Sequence, residues 1–200
     1  MPDHVVINAV PLMGDLIVPA VMHICRIMPA IRITYRSELG MAELGDLRTI
    51  GIRAGAEPAG DDIAVRWLGR IRVALVAAPE YVARNGMPQC PADLECHDIA
   101  AADLRCNQTP WFIWVRANTK SQRIVFRTND ENVMRQAIKS GRCMGFLPIS
   151  SLIWSPELIE VMPAREEWAA PLWLVHDLNA NPACCAVGRE LADIMARQLA

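Results

Sequence analysis

The stretch that decides the fold spans residues 5–36 and reads VVINAVPLMGDLIVPAVMHICRIMPAIRITYR. Its first six residues form an apolar run that is typical of a buried strand. A helix from about residue 15 to 28 follows, with Pro19 as an alternative start, because apolar residues recur at helical spacing: Leu16, Ile17, Ala20, Val21, Ile24 and Ile27. Residues 31–36 alternate between apolar and polar, as a half-buried strand does. A strand, a helix and a strand in this order predict an α/β fold.

The same pattern continues along the chain. Further strands are predicted at residues 50–53, 63–68, 73–77, 144–148 and 172–175, with short helices near 40–47 and 129–140 and a final helix at 184–199. Because strands and helices alternate, we expect largely parallel sheets. The organisation changes at Ala78-Pro79, after which prolines become denser.

The helix at 129–140 has the clearest boundaries. Thr128 and Glu131 have the spacing of a capping box, which predicts Thr128 as the residue that caps the helix. Gly141 follows its end, where a left-handed conformation is expected. The predicted buried stripe contains Val133, Met134, Ala137 and Ile138. A helix N-terminus can bind an anion, so this end is either an anion site or only a well-capped helix.

Composition and charge exclude several classes of protein. The 200 residues are 52% hydrophobic, and 20 basic against 22 acidic residues give a formal net charge of −2. This does not fit a disordered chain or a protein that binds DNA by itself. Neither a signal peptide nor a membrane span is predicted. Seven cysteines, an odd number, favour a reducing environment, so we expect a soluble, cytoplasmic protein.

Catalytic and metal motifs are sparse. The sequence contains no Gly-x-Ser-x-Gly, phosphate-loop, His-Glu-x-x-His or Cys-x-x-Cys motif. Cys90, Cys96, His97 and Cys106 could supply zinc ligands, but their spacing is irregular, and we interpret His97 as structural. The adjacent Cys184 and Cys185 could be redox-active at a helix start, although two semi-buried thiols are favoured. We therefore predict no catalytic residue, no metal and no cofactor.

An ordered series of segments resembles the effector-binding domain of LysR-type transcriptional regulators. The series is GIRAG at 51–55, DIAVRWLG at 62–69, VAAPEYVARNGMP at 76–88, PADLECH at 91–97, TNDE at 128–131, GFLP at 145–148 and PLWLV at 171–175. The resemblance covers about residues 5–199. Each motif alone is weak, whereas the ordered series is specific.

The resemblance implies a type 2 periplasmic-binding-protein-like fold. In this fold two Rossmann-like lobes are joined by two crossover strands, here expected at 73–77 and 172–175, with a small-molecule cleft between the lobes. Lobe I would contain residues 1–75 plus 176–200, and lobe II residues 76–175. Family members carry an N-terminal winged helix-turn-helix that this sequence lacks, so DNA would be contacted only through that missing domain.

The resemblance also implies where an effector binds. Effectors in this family lie between the start of the first helix of lobe I and the capped helix of lobe II. The candidate residues are Val10, Pro11, Leu12, Ser37, Arg53, Ala77, Thr128, Asn129, Leu147 and Pro148. The sequence departs from the family at Val10-Pro11-Leu12-Met13, which offers no side-chain donor. Either the effector is more apolar than is common in the family, or Arg53, Ser37 and Arg36 supply the polar contacts, with Arg53 alternatively holding a loop by an ion pair.

The predicted function is a ligand-sensing regulatory domain that is not an enzyme. Its partners would be a small-molecule effector, such as an organic acid or an aromatic metabolite, and a second copy of the chain, through helix 13–28 and strand 31–36. No membrane partner is expected. The alternatives are a solute-binding protein of a transport system, which shares the lobes but needs export, and an enzyme on the same fold.

Overall fold

Strand β1 (Asp3–Ala9), helix α1 (Gly14–Ile27) and strand β2 (Ile31–Ser37) confirm the predicted opening of the fold. The structure is a computed structural model that describes residues 3–11, 13–37, 46–103 and 109–199. β1 and β2 are parallel, with Val5 opposite Ile33. Pro19 lies inside α1 and does not start it. Burial of Leu16 and Ile17 holds the turn before Pro19 against the core, so the helix extends back to Gly14.

The remaining elements follow in chain order. They are β3 (Thr49–Ala54), β4 (Ile63–Ile71), β5 (Val73–Ala77), α2 (Pro79–Asn85), β6 (Ile99–Ala101), α3 (Pro110–Asn118), β7 (Ile124–Arg127), α4 (Glu131–Lys139), β8 (Met144–Pro148), β9 (Ile159–Met162), β10 (Ala170–Asp177) and α5 (Pro182–Gln198). In the described part of the chain, 3₁₀ turns lie at Pro91–Cys96, Ser121–Arg123, Ile149–Trp154 and Glu166–Trp168. The helix expected near 40–47 falls largely outside the described residues.

The chain divides into two compact units. The first contains Met1–Ile71 and Pro171–Ala200, and the second contains Arg72–Ala170. Each unit has its own five-stranded sheet, in the order β2-β1-β3-β10-β4 in the first and β7-β6-β8-β5-β9 in the second. The chain therefore passes from one unit to the other after Ile71 and returns after Ala170.

Both sheets are mixed, which corrects the expectation of largely parallel sheets. β1 is parallel to β2 and β3, and β6 is parallel to β7 and β8. β10 runs antiparallel to β3, and β5 runs antiparallel to β8 and β9. β5 and β10 each enter their sheet directly after the chain has come from the other unit, so no crossover helix fixes their direction.

Close helix packing explains one glycine in the second unit. A Cβ atom on Gly145 would lie 2.9 Å from Cδ1 of Ile138 and 3.0 Å from the carbonyl oxygen of Ala100. Real Cβ atoms do not approach other atoms so closely. Glycine at this position therefore lets α4 lie against β8 and β6.

The start of α4 differs from the predicted capping box. The carboxylate of Asp130, not the hydroxyl of Thr128, caps the helix and accepts a hydrogen bond from the Val133 N–H at 2.9 Å. The Thr128 hydroxyl oxygen accepts from the Asp130 N–H at 3.0 Å, one turn earlier. The carboxylate of Glu131 accepts a hydrogen bond from Arg135 and does not complete a capping box. Thr128, Asn129 and Asp130 are all capping residue types, and the carboxylate is the best partner for the positive helix end.

The buried face of α4 is narrower than predicted. The helix buries Met134 and Ile138, whereas Val133, predicted to be buried, is exposed. Gly141 follows with φ +67°, as predicted for the residue after the helix.

Candidate functional site

The parallel strands place the candidate residues of each unit at one edge of its sheet. β1, β2 and β3 end at Ala9, Ser37 and Ala54, and these ends share an edge because the three strands run in the same direction. β6, β7 and β8 end at Ala101, Arg127 and Pro148 in the same way. The edge beyond the carboxyl ends of parallel strands is where open α/β sheets bind ligands.

In the first unit, Val10 and Pro11 follow β1 directly. Val10 donates its N–H to the carbonyl of Ile52 at 3.3 Å, which extends the pairing of β1 with β3 by one residue. Ser37 ends β2 opposite Ala9 and is exposed. The structure therefore brings Val10, Pro11 and Ser37 to one edge. The candidate Leu12 lies outside the described residues.

Arg53 is the buried cation of this unit. Its side chain is 8% exposed, and its Nη1 donates to the carbonyls of Asn8 at 2.9 Å and Ile52 at 3.0 Å. The guanidinium lies over Gly51, where an added Cβ would be 3.1 Å from its Cζ. The side chain thus folds back along β3, and its Nη1 bonds backbone carbonyls of β1 and β3.

Two residues near Arg53 were not among the candidates predicted from the sequence. Asn8 is fully buried in β1, and its carbonyl accepts from Arg53. Trp173 lies directly opposite Arg53 on β10, donates its indole N–H to the carbonyl of Gly55 at 2.9 Å, and meets Trp67 edge to face at 5.0 Å. The sequence offered a signal for Asn8, because it is a polar residue within an apolar run. It offered none for Trp173, whose position beside Arg53 depends on the pairing of β10 with β3.

In the second unit, Thr128 and Asn129 lie between β7 and α4 and are half-buried. The backbone N–H of Thr128 donates to the carbonyl of Ala101 at 3.1 Å, which fixes it at the edge. The Asn129 side-chain oxygen accepts from the Asp103 N–H at 3.1 Å. In these bonds both side chains use their oxygens as acceptors, which leaves the hydroxyl hydrogen of Thr128 and the amide hydrogens of Asn129 as donors for a ligand.

Arg127 is a further residue at this edge that the sequence analysis missed. It ends β7 immediately before Thr128. Its Nη1 is buried, and none of the described residues accepts a hydrogen bond from it. A buried guanidinium nitrogen without an acceptor is costly, so an anionic ligand at this edge would satisfy it.

The other candidates of the second unit lie in different places. Pro148 ends β8 at the same edge as Thr128, whereas Leu147 is fully buried and packs in the core. Ala77 lies at the opposite edge, because β5 runs antiparallel to β8 and pairs Val73, not Ala77, with Pro148. Four strand residues separate Ala77 from Val73, a distance of roughly 13 Å. The structure therefore does not bring Ala77 together with Thr128 and Asn129.

The cysteines and His97 have structural surroundings. Burial raises the pKa of Cys184 to about 12 and that of Cys143 to about 11. A helix start can lower a thiol pKa, but burial dominates at Cys184, so this thiol stays protonated at neutral pH, in line with the favoured interpretation of two semi-buried thiols. His97 is buried and contacts the Tyr81 hydroxyl through Nδ1 at 3.1 Å. Cys106, the fourth residue considered for zinc, lies outside the described residues.

Neither a metal site nor a membrane-spanning helix is present among the described residues. In the ranges 3–11, 13–37, 46–103 and 109–199, no three His, Cys, Asp or Glu side chains are placed to hold one metal ion. In the same ranges no helix combines the length and the apolar character that are needed to span a membrane.

The family of the chain follows from its match to a known sequence profile. The sequence profile of the LysR substrate binding domain matches residues 3–193, nearly the whole chain. The chain belongs to the LysR substrate-binding-domain family. This confirms the resemblance in the sequence, and the mixed α/β architecture confirms the type 2 periplasmic-binding-protein-like fold. A comparison with curated protein sequences gives no match.

Solved structures of LysR-type regulators have the same fold. The regulatory domain of CrgA from Neisseria meningitidis is 22% identical, with a TM-score of 0.74 and all of each chain covered. The AmpR effector binding domain from Citrobacter freundii is 16% identical, with a TM-score of 0.72 and coverage of 98% and 99%. Full-length AphB, the Vibrio cholerae virulence activator, is 16% identical, with a TM-score of 0.69, and 96% of this LysR-family chain matches 67% of AphB.

Proposed function

We propose that this LysR-family domain senses a small-molecule effector and transmits its binding to a DNA-binding domain. The observation that carries the proposal is the family match over residues 3–193. The regulatory and effector-binding domains with which it shares its fold belong to regulators, not enzymes. The candidate contacts in this proposal are those that the family resemblance implies.

The chemistry of the two edges suggests the class of effector. Thr128 and Asn129 offer donors, and Arg127 adds a buried cationic nitrogen without an acceptor among the described residues. These groups suit a carboxylate. Val10 and Pro11 offer only apolar surface. We therefore propose that the effector is an organic acid with an apolar or aromatic body, whose carboxylate binds at the edge of the second unit.

The proposal extends to assembly and location. α1 leaves Val18, Met22 and Ile27 exposed, and β2 is the outermost strand of its sheet. Such an apolar helix face beside an unpaired strand edge suits a homodimer contact. The six described cysteines are free thiols, which agrees with the reducing cytoplasm in which a DNA-binding regulator acts.

A ligand screen by thermal denaturation tests the proposal. The chain is heated with aliphatic and aromatic carboxylic acids and with the corresponding neutral amides. We expect at least one acid to raise the Tm in a concentration-dependent way, because a ligand that binds only the folded state stabilises it.

Variants identify the site. Arg127→Gln and the double variant Thr128→Ala/Asn129→Ala should abolish most of the rise in Tm. Arg116→Gln, which removes an exposed arginine on α3, is the matched control and should leave it unchanged. A stabilising acid whose effect survives the Arg127 and Thr128/Asn129 variants would refute the proposed contacts.

A further inference from the structure

A pocket in the first unit lies away from the candidate effector edge. It has a volume of about 400 Å³ and is lined by residues of β4, β10 and α5. Pockets of this size accept small organic molecules. Nothing in the family match or in the proposed function assigns a role to it.

The strand register places the pocket and Arg53 on opposite faces of the sheet. Leu174 and His176, which line the pocket, pair with Ile52 and Ile50 of β3. Trp173, which precedes Leu174, pairs with Arg53. Because successive side chains of a strand point to opposite faces, Leu174 and His176 share one face of the sheet, and Trp173 and Arg53 share the other.

Gly188 opens one wall of the pocket. It lies in the middle of α5, where glycine weakens a helix. Packing does not demand glycine there, because an added Cβ would lie 3.6 Å from Cδ2 of His176 and 3.7 Å from side-chain carbons of Ile50 and Leu174, which are ordinary contacts. The missing side chain instead leaves space beside the apolar wall that Leu174 and Val65 provide.

The polar lining of the pocket is cationic. Arg66 forms an exposed ion pair with Asp193. Arg189, one residue after Gly188, is exposed, and none of the hydrogen bonds or ion pairs among the described residues involves its guanidinium. His176 is held by a hydrogen bond from Nδ1 to the carbonyl of Asp177 at 2.8 Å, and the Cδ2 side of its ring faces Gly188.

We propose that this pocket is a second ligand site, which binds a small monocarboxylate with a short apolar chain. Arg189 bonds the carboxylate, and the chain lies against Leu174, Val65 and the open face of Gly188. The site is independent of the effector contacts proposed at Arg127, Thr128 and Asn129.

The test is an NMR titration of the 200-residue chain, labelled with ¹⁵N, with sodium hexanoate. Hexanamide, which has the same chain without the charge, is the control ligand. We expect saturable shifts of backbone amide signals at residues 64–66, 174–176 and 185–189, and a clearly weaker response to hexanamide.

Two variants and a control complete the test. Arg189→Gln should raise the Kd for hexanoate roughly three- to tenfold, as expected for one charged contact near a protein surface. Gly188→Ala, whose methyl group fits without a clash, should weaken binding because the methyl group fills the space that glycine leaves in the pocket wall. Arg197→Gln, at an exposed arginine further along α5, should leave the Kd unchanged.

Several results would overturn the site. These are the absence of saturation up to about 20 mM hexanoate, well above a millimolar Kd, equal binding of hexanamide, and equal effects of Arg189→Gln and Arg197→Gln. Shifts confined to residues 127–130 would also overturn it, while supporting the effector edge of the second unit. The two proposals can therefore fail separately.

Discussion

At the scale of single residues, a buried hydrogen-bonded group ties α2 to the start of β6. The Tyr81 hydroxyl accepts from the Asp98 N–H at 2.9 Å and lies 3.1 Å from Nδ1 of His97. A neutral His97 can accept the hydroxyl hydrogen of Tyr81 at Nδ1, so each polar atom of this contact has a partner. Burial lowers the pKa of His97 below its ordinary value of 6.5, outweighing Asp93, which raises it.

The lowered pKa predicts that acid destabilises the domain through His97. Because the unfolded chain binds this proton more readily than the folded one, the contribution of His97 to stability is complete above about pH 6.5 and is lost as the pH falls toward its folded-state pKa. Urea unfolding at a series of pH values between 8 and 5 measures the effect. His97→Gln should flatten the fall in the free energy of unfolding over this range.

The control for this prediction is His23→Gln, because His23 is exposed on α1. This variant should retain the pH dependence of the unchanged chain. If His97→Gln and His23→Gln change the pH dependence equally, the explanation from burial is wrong.

At the scale of elements, the cap of α4 can be tested by substitution. Asp130→Ala removes the oxygen that accepts the Val133 N–H and should lower the free energy of unfolding by about 1 kcal/mol. Asp130→Asn keeps a side-chain oxygen and should restore most of this loss. Urea unfolding at neutral pH measures both.

Thr128→Ala separates the observed cap from the predicted one. The Thr128 hydroxyl bonds the Asp130 N–H, which precedes the helix, so its loss should cost less than the loss of Asp130. A larger cost for Thr128→Ala than for Asp130→Ala would restore the capping box that the sequence predicts.

Elements in which buried residues recur at a regular spacing could be predicted from the sequence. The direction of β5 and the start of α4 could not. The apolar spacing of α1 and the proline and glycine at the ends of β8 and α4 marked their positions within one or two residues. Three successive capping residues before α4 made its first turn ambiguous. The direction of β5 depends on the pairing of Val73 with Pro148, 75 residues away, which no local pattern contains. Because of this direction, Ala77 lies at the end of the sheet opposite to the candidate edge.

At the scale of the whole molecule, the two units repeat one plan. In each sheet one strand, β1 or β6, lies between the two strands that follow it in the chain, β2 and β3 or β7 and β8, and is parallel to both. An antiparallel strand follows in each sheet, β10 or β5, at the point where the chain arrives from the other unit. The order of motifs indicated this plan through the family resemblance. The burial of Nη1 of Arg127 and of the Arg53 side chain could not be predicted from the sequence, because it depends on neighbours that are distant in sequence.

The proposed dimer leads to the prediction at this scale. Met22 on α1 is 61% exposed, and burial of its side chain in a subunit contact would stabilise the dimer by the hydrophobic effect. We expect the chain to sediment as a dimer in analytical ultracentrifugation at micromolar concentration. Met22→Glu should give a monomer, because a carboxylate would have to be buried without a partner in the contact.

The matched control for the dimer is Ile153→Glu in the second unit. Ile153 is 77% exposed, yet it lies on the 3₁₀ turn after β8, away from α1 and β2 in the sequence and in a different unit. This variant should remain dimeric. Unchanged circular dichroism and urea unfolding of Met22→Glu would show that the monomer is folded, since the charge replaces an exposed side chain. A dimer that survives Met22→Glu, or dissociation equal in both variants, would place the subunit contact elsewhere than on α1.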